Sequence, residues 1–301
     1  MDLATPQPAS EPEKSDSGQS VAHVPVEKVS GQLRQAGRDL LAVEEPLEIR
    51  LVFRRDGRRQ QKSISITMRT PGADFELACG FLLTEGIIRG PADVAGVRHC
   101  GPPVGPLKLR NVVRVELGPE VPVDFERLER HFYTSSSCGV CGKTSIAALT
   151  VAGVTPLAAG EPRVPAEIFH RLPDELRRSQ DVFDQTGGLH AAALFETDGR
   201  LVALREDVGR HNAVDKLIGS ELLAGRLPLE RQILLVSGRA SFELVQKALV
   251  ARIPIMAAVG APSSLAVELA AQYGLTLLGF LRSGRFNLYC GGERVIGVDA
   301  A

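Results

Sequence analysis

The sequence predicts an α/β protein in two parts, a smaller α+β unit followed by a three-layer α/β domain, and three observations carry that reading. Leu47, Ile49, Leu51 and Phe53 alternate with other residues, as do Ile64, Ile66 and Met68 beyond a polar Asp56-Gly57 turn, which is the pattern of a β-hairpin. Beyond residue 187, short apolar runs alternate with helically spaced ones, as in a sheet covered by helices. With 44% hydrophobic residues in 301, there is enough apolar surface for a substantial core.

The first thirty residues are rich in Pro, Ser, Glu and Gln and nearly free of large apolar side chains, so a disordered polar tail is expected over 1–35. The N-terminal unit is expected over 36–134. After the hairpin, Thr70-Pro71-Gly72 ends the second strand, and Phe75, Leu77, Ala78, Phe81 and Leu82 have helical spacing up to Gly86. Strands follow near 94–100 and 111–117, then a short amphipathic segment at 125–132. A cysteine-bearing loop is expected at 135–145 and the C-terminal domain over 146–301. In that domain, strands are expected at 190–195 and 201–204 across an Asp198-Gly199 turn, followed by a helix through Ala213, Leu217 and Ile218. Strands at 233–236, 255–259 and 275–280 then alternate with helices at 242–250 and 265–273.

A net charge of -1 gives no basic field to attract nucleic acid or an anionic membrane. The N-terminal segment lacks the apolar region of a secretory signal, and no apolar stretch is long enough to span a bilayer, so a cytoplasmic protein is expected. Five cysteines are an odd number and too sparse for a disulfide framework in a chain this long, which favours thiol reactivity over crosslinking.

The densest chemistry lies in TSSSCGVCGK, where Cys138 and Cys141 stand among small residues and Lys143. Such a setting suits a polarisable nucleophile on a loop. Four thiol chemistries compete. A thioredoxin-like oxidoreductase would carry the pair directly after an early βαβ strand, whereas here about a hundred residues of mixed structure precede it. A structural zinc site needs four ligands, and with no second pair it would have to recruit His131, His190 or another subunit. A zinc nucleobase deaminase needs a His-x-Glu ahead of Pro-Cys-x-x-Cys; here Ser137 precedes the pair and His190-Ala191-Ala192 lacks the glutamate. A sulfur carrier needs one thiolate to accept a sulfane sulfur and pass it on, with Lys143 and loop amides stabilising the anion.

Ligands of open α/β sheets bind beyond the carboxyl ends of the strands, and three loops there are notable. They are Ser237-Gly238-Arg239, Gly260-Ala261-Pro262-Ser263-Ser264 and Arg282-Ser283-Gly284-Arg285. Small residues let backbone amides approach a ligand and arginines grip phosphate oxygens, although each loop alone is also ordinary turn and capping chemistry. The charged run Glu206-Asp207-Val208-Gly209-Arg210-His211-Asn212 adds charged groups just before a helix, and a solvated helix start is the plain alternative for it.

Several long motifs together resemble the FdhD family of formate dehydrogenase accessory sulfurtransferases: RTPGADFELACGFLLTEGII at 69–88, SSSCGVCGK at 135–143, TGGLHAA at 186–192, EDVGRHNAVDK at 206–216, SGRASFE at 237–243 and GFLRSGRFNLY at 279–289. The resemblance spans about residues 45–295 and leaves the tail outside. It implies a carrier that takes sulfur from a cysteine desulfurase and delivers it to the bis(molybdopterin guanine dinucleotide) molybdenum cofactor before that cofactor enters formate dehydrogenase. By the same resemblance Cys138 bears the persulfide, Cys141 assists in transfer or resolution, and Phe280, Leu281, Arg282, Ser283, Gly284 and Arg285 hold the guanine nucleotide ends of the cofactor, which is bound as acceptor substrate. A C-terminal domain similar to the cytidine deaminases and a homodimer are also implied. The competing reading is a non-catalytic chaperone for the molybdenum cofactor, with cysteines that bind zinc or sense redox state.

Cys79 lies on a predicted apolar helix face and Cys100 and Cys290 at strand ends, where a cysteine serves as a small buried hydrophobe. His190 and His211 stand near predicted element ends, and a structural hydrogen bond accounts for each at least as well as a ligand does.

Overall fold

Two sheets with a shared set of helices organise the chain, described by a computed structural model for residues 20–105, 107–123 and 154–298. The strands of the N-terminal half are β1 (Val21–Ser30), β2 (Leu33–Ala42), β3 (Glu45–Arg55), β4 (Arg58–Arg69), β5 (Val94–His99) and β6 (Val112–Leu117), with helix α1 (Asp74–Thr84) between β4 and β5. The C-terminal half runs β7 (Val164–Pro165), α2 (Ala166–Arg178), α3 (Asp181–Thr186), β8 (His190–Phe195), β9 (Leu201–Asp207) and α4 (Arg210–Leu223). It continues through β10 (Ile233–Val236), α5 (Phe242–Val250), β11 (Ile255–Ala258), α6 (Ser264–Tyr273), β12 (Thr276–Arg282), β13 (Arg285–Cys290) and β14 (Val295–Ile296).

The expected hairpin is β3–β4, and it extends into a four-stranded sheet of order β4-β3-β6-β5. Leu47, Ile49, Leu51 and Phe53 of β3 and Val113, Val115 and Leu117 of β6 turn inward, as the two-residue period requires, and pack with Leu77, Ala78 and Leu82 of α1. The second sheet has the order β13-β12-β11-β10-β8-β9, with β10, β11 and β12 parallel to one another. Its central strands are buried on both faces, so ILLV in β10 and IMAA in β11 read as continuous apolar runs. Leu234, Val236, Met256 and Ala258 face α4, α5 and α6, while Ile233, Leu235, Ile255 and Ala257 face Phe169, Leu172 and Leu176 of α2. The three-layer arrangement is therefore present. One of its layers, α2, and the edge strand β13 are additions to the expected elements.

The N-terminal expectation needs correction. Residues expected in the polar tail over 1–35 form β1 and the start of β2, an antiparallel ribbon; residues 1–19 lie outside the described residues. Main-chain ladder bonds form such a ribbon without an apolar composition, and Gly31, at φ 62°, supplies the positive φ that a two-residue hairpin turn needs. Its base is tied down where Ser20 Oγ donates to the Pro71 carbonyl at 2.9 Å and Val43 N donates to the Ser20 carbonyl at 2.9 Å.

The two halves share one core through α1 and α4. Gly80 and Gly219 let these helices touch backbone to backbone: an added Cβ at either would stand 1.9 Å from a carbonyl oxygen of the other helix. A buried polar network adjoins that contact. Asp207 accepts from Lys216 Nζ at 2.7 Å, Thr70 N at 3.1 Å and Gly209 N at 2.8 Å, and Asn212 Nδ2 donates to the Met68 carbonyl at 2.7 Å. The run 206–212 is thus not a solvated helix start, because Asp207 is fully buried and partnered by a lysine and main-chain donors. Among the described residues no helix is long and apolar enough to cross a membrane.

Candidate functional site

Cys138, Cys141, Lys143 and His131 lie outside the described residues, as does the loop expected at 135–145. The geometry available is that of the strand ends in the larger sheet. The three loops singled out from the sequence do meet there, and backbone hydrogen bonds join them. Gly260 N donates to the Gly238 carbonyl at 2.8 Å, Ala240 N to the Ala261 carbonyl at 3.1 Å, Ser263 N to the Ala240 carbonyl at 3.0 Å and Phe280 N to the Gly260 carbonyl at 3.0 Å. This continuous ledge admits no side chain at Gly260, where a Cβ would stand 2.9 Å from the Gly238 carbonyl oxygen. Ser263 caps α6 by accepting from Ala266 N at 3.3 Å.

The six residues assigned to nucleotide binding differ in what they present. Leu281 is fully buried in the α2-side core and anchors β12. Phe280, forced to a positive φ of 52° at an irregularity in the β12–β13 pairing, remains 45% exposed beside it. Arg282 donates through Nη1 to the Val259 and Leu281 carbonyls at 2.7 Å, which fixes its guanidinium against the ledge. Ser283 Oγ donates to Asp174, 3.0 Å from each carboxylate oxygen, so α2 holds the turn. Gly284 makes the turn at φ 87°, and Arg285 is exposed at the start of β13.

Further groups converge on the ledge from β8, α4 and α5. His190 opens β8 alongside Gly238, whose Cβ, if present, would lie 3.4 Å from His190 Nδ1. Burial pushes the His190 imidazole below its ordinary pKa and Arg210 adds to that, so it favours the neutral form, a hydrogen-bonding group. His211 Nε2 lies 3.4 Å from Ser241 Oγ and 3.7 Å from Glu243 Oε2. Contact with His211 outweighs desolvation and holds the Glu243 carboxyl down at about 2. Asp174 and the His211–Glu243 pair were not singled out from the sequence. The spacing of Ile168, Phe169, Leu172 and Leu176 would have revealed the helix carrying Asp174, but nothing local announces a pair 32 residues apart.

A pH dependence follows. The folded pKa of Glu243 lies below its ordinary 4.5, so its contribution to stability is present above 4.5 and lost as pH falls toward about 2. Glu243→Gln is expected to flatten that acid-side loss, as read from urea midpoints taken across the interval. An unchanged slope would mean that the pair does not form.

The sequence matches the profile of the FdhD/NarQ family over residues 42–296. The chain belongs to that family. It is 55% identical over 259 residues, covering 85% of this chain and 89% of the relative, to the sulfur carrier protein FdhD of Streptomyces coelicolor. To the sulfur carrier protein FdhD of Mycobacterium tuberculosis it is 49% identical over 284 residues, 92% of this chain and 99% of the relative. The fold is that of a crystal structure from Desulfotalea psychrophila provisionally described as a formate dehydrogenase accessory protein. The TM-score is 0.69 at 26% identity, with 92% of this chain and 99% of that one covered.

Proposed function

We propose that the chain is a sulfur carrier acting in formate dehydrogenase maturation, with Cys138 as acceptor thiolate. The observation that carries the reading is the SSSCGVCGK run at 135–143, which falls inside the family match of a chain 55% identical to a sulfur carrier protein. In loading, the Cys138 thiolate attacks the terminal sulfur of a persulfide on a cysteine desulfurase. The donor's S–S bond breaks, its thiolate departs, and Cys138 is left as the persulfide anion. Cys141 assists in transfer or resolution. The acceptor substrate is the molybdenum cofactor in its bis(molybdopterin guanine dinucleotide) form, destined for formate dehydrogenase, with its guanine nucleotide ends on the ledge formed by Phe280 to Arg285. Arg282 is already fixed against that ledge, while exposed Arg285 is free to close on a phosphate. The same reading includes a cytoplasmic homodimer and a C-terminal domain of the cytidine deaminase type, for which the antiparallel β8–β9 pair followed by parallel β10, β11 and β12 speaks.

Peptide mass spectrometry after incubation with a cysteine desulfurase and cysteine tests the reading. One added sulfur on Cys138, removable by reductant and absent from Cys138→Ala, is expected. Cys138→Ala should also fail to activate formate dehydrogenase while still binding guanosine diphosphate. Full activation by the variant would leave only a cofactor-binding chaperone.

A further inference from the structure

The tip of the β3–β4 hairpin carries more positive charge than the fold uses. From Arg54 to Lys62 the run RRDGRRQQK has five basic residues and one acidic one, in a protein of net charge -1. Asp56 and Gly57 both take positive φ, 51° and 73°, as a type I′ turn requires, so the strands stay paired up to the turn. That pairing sets Arg54 opposite Arg59 and Arg55 opposite Arg58. Like charges directly opposite one another destabilise a sheet, and here two successive pairs are of that kind. Charge on β4 alone would guard an edge strand, but Arg54 and Arg55 belong to β3, which is interior to the sheet.

The four arginines differ in what they hold. Arg59 grips Glu116 through Nε at 3.2 Å and Nη2 at 3.1 Å, and Arg55 Nε lies 3.9 Å from Asp56. Arg54 and Arg58 are exposed and have no ion-pair partner among the described residues. The Arg59–Glu116 fork shows the group these side chains take, a planar carboxylate, which the same Nε/Nη2 edge also grips at Arg50, Arg69, Arg205 and Arg226. Nucleic acid fits poorly, since one turn offers a point of charge and not a stripe that follows a backbone. Position narrows the partner further. The other end of β4 meets α4, where Asn212 Nδ2 donates to the Met68 carbonyl and the neighbouring His211 lies 3.4 Å from Ser241, which follows the Ser237–Arg239 loop of the ledge. Ten residues of β4 separate Arg59 from Arg69, about 33 Å at 3.3 Å per residue, so the tip stands away from the ledge. It stands instead beside the end of β6, where Glu116 pairs with Val52, and from β6 the chain runs on toward the residues that carry Cys138.

We infer that the hairpin tip docks an acidic surface of the protein that donates sulfur to this chain, with Arg54 and Arg58 forking its carboxylates. The inference rests on the sulfur-carrier reading, and the test keeps the two apart. Association of the full chain with an immobilised cysteine desulfurase is followed against ionic strength for the wild type and for Arg54→Glu with Arg58→Glu. Arg200→Glu with Arg231→Glu makes the same change in net charge at exposed arginines elsewhere and is the control. Wild-type association is expected to slow steeply with salt. The hairpin variant should associate about tenfold more slowly at low salt and lose most of the salt dependence, while the control follows the wild type. Arg54→Gln with Arg58→Gln should fall between. The hairpin variant should melt no lower than the wild type, because each change turns a like-charge cross-strand pair into an opposite-charge one. Loading by free cysteine persulfide, read as one added sulfur on Cys138, should be equal in all of these. Equal association of wild type and hairpin variant, an equal loss in the control, association indifferent to salt, or capture of a DNA duplex in place of the desulfurase would overturn the docking assignment. Absence of loading by cysteine persulfide in the wild type would instead refute the carrier reading, whatever the hairpin binds.

Discussion

Gly80→Ala is expected to destabilise the folded chain by about 3 kcal/mol or more, against the gain of about 1 kcal/mol that helix propensity alone assigns to alanine over glycine. The sign reverses because Gly80 lies at the crossing of α1 and α4. A new Cβ there would stand 1.9 Å from the Asp215 carbonyl oxygen and 2.9 Å from Gly219 N. Those are backbone atoms within a helix, so no side chain can swing away; the helices must separate. Separation would loosen Leu77 and Ala78 on one side and Val214 and Leu217 on the other, all of them buried. Gly219→Ala meets the Glu76 carbonyl oxygen at the same 1.9 Å and should behave alike. Gly90→Ala, at a position with nothing within 4 Å, is the control and should change stability by no more than about 0.5 kcal/mol. Urea unfolding distinguishes these outcomes. Wild-type stability in Gly80→Ala would show that the helices do not approach so closely.

Asp215→Ala is expected to cost about 3–5 kcal/mol, because it leaves Lys247 charged and buried without its main partner. Lys247 Nζ lies 2.9 Å from both Asp215 oxygens and donates to Thr84 Oγ1 at 2.9 Å, with Glu85 at 3.4 Å. Thr84 Oγ1 in turn donates to Asp215 at 2.7 Å. Burial opposes the lysine charge, but Asp215 and Glu85 outweigh it and hold Lys247 above the ordinary lysine value. The lysine's contribution is therefore present at neutral pH and lost as pH rises through that raised value, while burial raises the Asp215 carboxyl above its ordinary value, so the ion pair is lost on the acid side as well. The cluster joins α1, α4 and α5, so its loss weakens the same junction as the glycine variants. Replacing both partners, as Asp215→Leu with Lys247→Met, should recover most of the loss, since no orphaned charge remains. A double-mutant cycle on urea midpoints gives the coupling. Coupling near zero would mean that the ion pair contributes nothing to the junction.

The secondary structure was legible in proportion to how directly a period recorded burial. β3 alternates because one face of its sheet is covered, whereas of the alternating Ile64, Ile66 and Met68 in β4 only Ile64 is buried, and β10 and β11 run apolar because both faces are covered. The β1–β2 ribbon escaped notice because most of its side chains are exposed, so its residues carry the composition of a tail. The 206–212 run looked like solvated polarity for a related reason: a buried charge and an exposed one are the same letter, and only Lys216 and the main chain of residues 68–70 distinguish them. At the ledge, small residues and arginines marked the three loops, but not that Leu281 would face the core and Phe280 the solvent.

By itself the sequence determined the fold class, the strand and helix periods, the cysteine pair and the motifs that place the chain in its family. Each of these is a local pattern or a contiguous run. The tertiary structure decided which of those residues meet: Gly80 with Gly219, Asp215 with Lys247, and Asp174 with Ser283. Such meetings depend on register, helix crossing and burial, which arise only when separate segments are packed together, so no stretch of sequence contains them.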